Sequence, residues 1–251
     1  MNQPLVVGNW KMNGTLSQAS SLANAIMQGF TQKRPRAALV LAPPATALAA
    51  VQQRIAMSGI SLAGQNCHWE DSGAFTGEIS PLMLSDLGCT YVIVGHSERR
   101  HVFNESDEII AKKLTAAIRN NIRPILCVGE TLDQRNAGKT MEVIMRQIQI
   151  ALKQLNENDI AKLEIAYEPV WAIGTGHNAD PNQIAEVHGG IRSYLRSSFD
   201  ETSVRILYGG SVNPENANEL AKIPEVNGLL VGGASLKPEV FLAVIPCFDN
   251  E

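Results

Sequence analysis

A few short stretches of this chain carry side chains suited to moving protons and gripping an anion. Glu168 ends an apolar run and precedes Pro169, which restricts the backbone on its far side. Most loop glutamates are solvated, but this one stands beside Val170 and Trp171, and burial there would make it a usable general base near neutral pH. His96 opens a helix-like segment at Ser97. A helix N-terminus disfavours added positive charge, so a neutral imidazole is expected, able to donate a proton to one oxygen and recover it at another. Alone, such a histidine would pass for a satisfied core residue. Lys11, with Glu98 as counter-ion, would offer fixed positive charge to a dianionic substrate, although a strand-end lysine is usually just solvated.

Glycines supply the other half of the chemistry. Gly209-Gly210-Ser211 and Gly232-Gly233 follow the last two apolar runs. One Gly-Gly is an ordinary tight turn, but two in successive loops at helix N-termini read as a nest of N–H groups for a phosphate. Ala172-Ile173-Gly174-Thr175-Gly176 is small and uncharged, the composition of a lid whose stiffer hinge is Pro169-Val170-Trp171. Gly174 and Gly176 are placed to turn backbone N–H groups onto the same phosphate. The long stretch 69–80, with Phe75 near its tip, reads as a protrusion that needs a partner surface.

Residues so far apart need a scaffold that gathers them at one mouth. Apolar runs at residues 5–8, 38–42, 60–64, 91–95, 124–129, 163–167, 204–208 and 228–231 are continuous rather than alternating, which suits parallel strands covered by helices. Between them, Leu22, Ile26 and Phe30, then Leu48, Val51 and Ile55, then Ile110, Leu114 and Ala117 recur at helical spacing. Asp180-Pro181-Asn182-Gln183 combines an N-cap, a proline at the first helical position and a capping-box glutamine, and Ile184, Val187, Ile191 and Leu195 then line one face. Ser80-Pro81 and Asn213-Pro214 are expected to open helices in the same way. Eight such units in 251 residues average about 31 each, the size of a βαβ step. An open doubly wound sheet would want GxGxxG after the first strand, where Gly8 is followed by Asn9-Trp10-Lys11. The expectation is therefore an α/β fold, one (β/α)8 barrel domain over residues 1–251, with function at the C-terminal ends of its eight strands.

Composition narrows the partners. Lysine plus arginine is 21 and aspartate plus glutamate 25, giving a formal charge of −4 with no basic stripe, so nucleic acid is not expected as a partner. The uncharged stretch 37–51 is shorter than the roughly 18 residues of a membrane span and contains Pro43-Pro44, so no membrane association is expected. The start of the chain lacks the pattern of a signal peptide, and the four cysteines form no CxxC pair, which together favour a reduced cytoplasmic protein. The five histidines include no HExxH, so no metal is called for.

Gly8-Asn9-Trp10-Lys11, Gly95-His96-Ser97-Glu98-Arg99-Arg100, Tyr167-Glu168-Pro169-Val170-Trp171-Ala172-Ile173-Gly174-Thr175-Gly176, Tyr208-Gly209-Gly210-Ser211 and Val231-Gly232-Gly233-Ala234-Ser235-Leu236 resemble, in order and from residue 5 to about 243, the motifs of the triosephosphate isomerase family. So does Ser72-Gly73-Ala74-Phe75-Thr76-Gly77-Glu78. The resemblance implies a TIM barrel that interconverts dihydroxyacetone phosphate and D-glyceraldehyde 3-phosphate through an enediol(ate). It implies Glu168 as the base, His96 as the proton shuttle between oxygens, and Asn9 and Lys11 as stabilisers of developing charge. It makes Ser97 and Glu98 supporting residues. Lys11, Gly174, Ser211, Gly232 and Gly233 would hold the substrate, mainly by its phosphate, under a lid of residues 169–176 that keeps the intermediate from water. No cofactor is implied. A homodimer is, with Phe75, Thr76 and Gly77 entering the partner. His177 departs from the family's usual lysine and is expected to change the rate of lid opening rather than the chemistry.

Two rivals make different demands. An aldolase-like lyase needs a Schiff-base lysine inside a strand, and the eight runs contain none. A sugar-phosphate-binding protein without turnover would keep the glycine loops and lose the acid–base pair, yet both Glu168 and His96 stand.

Overall fold

Strand residues of this chain are apolar on both faces, and the computed structural model, which describes residues 3–173, 179–200 and 203–249, shows two separate destinations for them. The strands are β1 (Leu5–Asn9), β2 (Ala38–Ala42), β3 (Ser61–Gly64), β4 (Cys89–Val94), β5 (Arg123–Val128), β6 (Glu164–Tyr167), β7 (Ile206–Tyr208) and β8 (Gly228–Val231). All pair in parallel and in chain order, and β8 returns to β1, closing a barrel. One set of alternating residues, including Leu5, Val7, Val40, Ile93, Ile125, Cys127, Ala166, Leu207 and Leu230, fills the interior. The other, including Val6, Leu39, Leu41, Val94, Leu126, Ile165 and Leu229, packs outward against the helices. That double burial is why the strands read as unbroken apolar runs.

The helices follow their expected caps in most places. Pro181–Phe199 begins on a complete capping box from Asp180 and Gln183 and buries Ile184, Val187, Ile191 and Leu195. Leu48–Ile55 buries Leu48, Val51 and Ile55, and Asp107–Arg119 buries Ile110, Leu114 and Ala117. Ser80 caps Pro81–Asp86. In Leu16–Lys33 the buried line is Ala19, Ala23 and Ile26. Leu22 and Phe30 flank that line half-buried, because small residues let the helix approach the barrel more closely than large ones would. The helix expected at Asn213-Pro214 begins later, as Ala217–Ala221. Asn213 and Asn216 each accept the other's backbone N–H (3.0 and 2.9 Å), closing a turn ahead of the helix. Strand β4 starts at Cys89, two residues earlier than its apolar run, and β7 contains only the last three residues of its run.

The two-residue period of the interior continues past the ends of the strands. Upward from Val7, Cys127, Ala166, Leu207 and Leu230 it reaches Asn9, Gly129, Glu168, Gly209 and Gly232. Downward it reaches Tyr91, Arg123, Glu164 and Arg205, which floor the barrel. Glu164 is fully buried and accepts hydrogen bonds from Arg205 and Arg123, while Arg205 also reaches the Tyr91 hydroxyl.

Candidate active site

At the upper mouth a cavity of about 450 Å³ is lined by Asn9, Lys11, His96, Glu168, Ile173, Gly209, Gly210, Ser211, Gly232 and Gly233, among others. Residues from the ends of β1, β4, β6, β7 and β8 thus meet as expected.

Glu168 is 2% exposed. Its Oε2 accepts the backbone N–H of Ser97 at 2.8 Å, and its Oε1 lies 3.1 Å from His96 Nε2. Ser97 therefore supports the carboxylate through its amide. Nδ1 of His96 accepts the backbone N–H of Glu98 at 3.2 Å. That nitrogen is the acceptor of the contact, which leaves a ring proton on Nε2, facing Glu168. The Glu98 carboxylate is farther from Nδ1, at 3.5 Å, and does not displace the amide. His96 stands at the head of the short helix Ser97–His101.

Lys11 Nζ donates to Glu98 Oε1 at 2.8 Å. Partial burial is the largest single influence on Glu98 and opposes its charge, but the bond from Lys11 together with the adjacent His96 and the Lys11 charge outweighs it and holds the carboxyl below its ordinary value. The backbone of Lys11 is left-handed, with φ of 52°, unusual for a residue with a side chain. It is held there by Asn9, whose Oδ1 accepts the Lys11 N–H at 3.0 Å, and by Gln65, whose Nε2 donates to the carbonyls of Lys11 and Ala42, both at 2.8 Å. The effect is to aim Nζ across the mouth.

Two glycines of the mouth lie close against catalytic candidates. A Cβ on Gly209 would lie 2.9 Å from Glu168 Cγ, and one on Gly232 would lie 3.3 Å from Lys11 Cε. Ser211 Oγ donates to the carbonyl of Ala172 at 2.8 Å, tying the loop after β7 to the lid hinge. The hinge itself is anchored by Glu130, fully buried just past β5, which accepts from Trp171 Nε1 (2.9 Å), the Tyr167 hydroxyl (3.2 Å) and Arg135 (3.0 Å). Pro169 precedes a single turn of 3-10 helix, Val170–Ala172. Of the expected lid, Gly174, Thr175 and Gly176 lie outside the described residues, as does His177.

Sequence reasoning missed Glu130, Gln65 and Arg100. Arg100 Nη2 donates to the Cys127 carbonyl (3.0 Å) and its Nε to the Gly95 carbonyl (2.9 Å), clasping the ends of β5 and β4 together. Arg100 lies within a motif already singled out, whereas the other two act across the fold and carry no local signal. Cys127 lies beneath Glu168, and burial first and that carboxylate's charge second push its thiol well above the ordinary value.

The long connection after β3 is built around stacked rings. His68 lies 4.0 Å from Trp69 and 4.2 Å from Phe75 between ring centroids, and Phe75 remains 41% exposed. So Phe75 leans on its own chain and still presents an apolar face. Beside this loop a cleft of about 350 Å³ runs past Met12, Gln65, Gly77, Glu98 and Phe103 to Lys11 and His96.

The sequence profile of the triosephosphate isomerase family matches residues 4–247. The chain is 49% identical over 246 residues to the triosephosphate isomerase of Aquifex aeolicus, covering 97% of this chain and 99% of that one. It is 49% identical over 248 residues to that of Chloroherpeton thalassium, covering 98% of each. The crystal structure of triosephosphate isomerase from Bartonella henselae superposes with a TM-score of 0.89 at 40% identity, covering 98% of this chain and 99% of that chain.

Proposed function

The chain belongs to the triosephosphate isomerase family, and from that premise we propose how its residues divide the work. The reaction is the interconversion of dihydroxyacetone phosphate and D-glyceraldehyde 3-phosphate, an isomerase step of glycolysis and gluconeogenesis. One observation carries the assignment of roles: a buried carboxylate in contact with an imidazole whose other nitrogen accepts a backbone N–H, at the mouth of the barrel.

Glu168 removes a proton from the carbon next to the carbonyl, and the C–H electrons pass to the carbonyl oxygen as an enediolate forms. The His96 Nε2–H, which now faces Glu168, turns to that oxygen and gives up its proton. The ring recovers a proton from the neighbouring hydroxyl, and the Glu168 carboxyl, once its proton has exchanged with solvent, protonates the adjacent carbon. Atoms and charge balance with no other reactant than solvent. Lys11 and Asn9 stabilise the oxyanion, and Lys11 is free to exchange Glu98 for the substrate because that pair sits at the solvent rim, with side chains 26% and 47% exposed. Ser211, Gly232 and Gly233, with Gly174 from the lid, take the phosphate. A Schiff-base mechanism lacks its lysine, since no lysine stands in any of the eight strands.

The assembly we propose is a homodimer of one-domain barrels spanning residues 1–251, acting in the cytoplasm without a cofactor. Met12, Leu82, Met83, Val102 and Phe103 are all more than half exposed, and together with the cleft beside Phe75, Thr76 and Gly77 they support an apolar interface in which that loop enters the partner. Four cysteines with no disulfide between them among the described residues support a reducing compartment. Because Lys11 lines the same cleft, the dimer would also brace the site.

Turnover of glyceraldehyde 3-phosphate in D2O tests the mechanism. Proton transfer through an exchangeable carboxyl puts deuterium on carbon in the product, and a Glu168→Gln variant loses both turnover and label. Product free of deuterium would contradict exchange of the abstracted proton at the carboxyl, and an unimpaired variant would contradict the choice of base.

A further inference from the structure

Gln147 lies in the helix Thr140–Leu152, outside the active-site cavity, and is 5% exposed. Both ends of its amide are spent on one residue. Oε1 accepts the Gly129 N–H at 2.9 Å, and Nε2 donates to the Gly129 carbonyl at 3.1 Å. This bidentate grip fixes the orientation of the backbone immediately past β5, as a neighbouring strand would.

Gly129 is the surface on which Glu168 rests. A Cβ there would stand 1.8 Å from the Glu168 carbonyl oxygen, so the two backbones are in direct contact. On either side, the Glu168 N–H donates to the Val128 carbonyl at 2.8 Å, and the Val170 N–H donates to the Glu130 carbonyl at 3.1 Å. The segment 128–130 is thus a rail for the base and the first hinge residues, and Gln147 fastens its middle. We propose that Gln147 is a positioning residue for the isomerisation, holding through Gly129 the backbone from which Glu168 projects. The proposal rests on the reading of Glu168 as the base.

Two variants test it in steady-state assays of glyceraldehyde 3-phosphate, with melting temperature followed throughout. Gln147→Met keeps length and bulk but removes both polar contacts. The expected result is a kcat lower by about 10- to 100-fold, the scale of a misplacement near 1 Å, with KM nearly unchanged because the phosphate loops are untouched. Gln147→Glu keeps the acceptor but sets an ionised oxygen against the Gly129 carbonyl, and protonation of the new carboxyl restores the missing donor. Burial raises the pKa of such a group, so the ratio of variant to parent kcat should climb several-fold from roughly pH 8 to pH 5.5. A merely structural contact predicts no such recovery in the ratio. The proposal is overturned if the methionine variant keeps the parent kcat, or if the ratio for the glutamate variant is flat with pH. If the methionine variant does not fold, the pH ratio alone decides. Glu168→Gln run alongside separates the two readings: unimpaired turnover there refutes the base itself, whatever the Gln147 variants do.

Discussion

Strand β6 begins at one buried glutamate and is followed directly by another on the same inward face, one at each end of the barrel, and their surroundings differ in kind. At the floor, Glu164 is surrounded by the guanidiniums of Arg205 and Arg123, and its oxygens accept four hydrogen bonds. At the mouth, Glu168 is equally hidden from solvent, and among the described residues its carboxylate meets the Ser97 amide, the His96 imidazole and the Cys127 thiol in place of guanidiniums. A carboxylate locked between fixed cations can neither move nor accept a proton, and it serves to hold strands together. A carboxylate held by neutral donors that substrate oxygens can engage instead remains available for chemistry. Burial alone does not distinguish the two residues, whereas the charge of the partners does.

Substitutions should separate these ends. The largest effect is expected from Glu168→Gln, which removes the proton acceptor and should lower kcat by about a thousandfold or more, with a melting temperature near the parent's. Glu164→Gln should do the reverse. Leaving Arg205 and Arg123 without a counter-charge is expected to cost about 3 kcal/mol in denaturant unfolding, with turnover per folded molecule unchanged. At the rim, Lys11→Met should lower kcat/KM by about tenfold or more through loss of a charge-assisted contact to the developing oxyanion. It also frees Glu98 from the bond that offsets its burial, so the Glu98 carboxyl should titrate at higher pH in an NMR titration.

A smaller effect comes from a buried histidine. His188 Nδ1 lies 3.0 Å from the Glu225 carbonyl and so carries the proton, while its Nε2 has no hydrogen-bond partner among the described residues. Burial depresses it to about 4 from an ordinary 6.5, partly offset by the Glu225 carbonyl and carboxylate, with Arg192 pressing in the same direction as burial. Between those values the unfolded chain binds more protons, so stability should fall as pH drops from 6.5 towards 4. His188→Gln should flatten that part of the curve, measured by urea unfolding at several pH values. An unchanged slope would mean that other groups set the acid limit.

The comparison also shows what was legible in the sequence. Glu168 stood out because it interrupts the chain where an apolar run ends and a proline begins, and the glycine pairs because two of them follow successive strands. Glu164 lay inside a run read as continuous, although the spacing Glu164, Ala166, Glu168 already puts both carboxylates on one face. Arg205 was counted within a strand run, but its side chain turns inward to Glu164 and the regular part of β7 begins one residue later. Glu130, Gln65 and Gln147 were invisible because each acts on a residue brought close only by the barrel. In Leu16–Lys33, repeating large residues drew attention from the alanines that make the contact. Local pattern thus singled out the residues proposed to do chemistry, and the residues that hold them emerged only with the fold.

The most direct test is a paired measurement of kcat and melting temperature on Glu164→Gln and Glu168→Gln. The account predicts a crossed result, in which the mouth variant is stable and inactive and the floor variant is active and less stable. Turnover surviving in Glu168→Gln, or lost to the same extent in a folded Glu164→Gln, would contradict it.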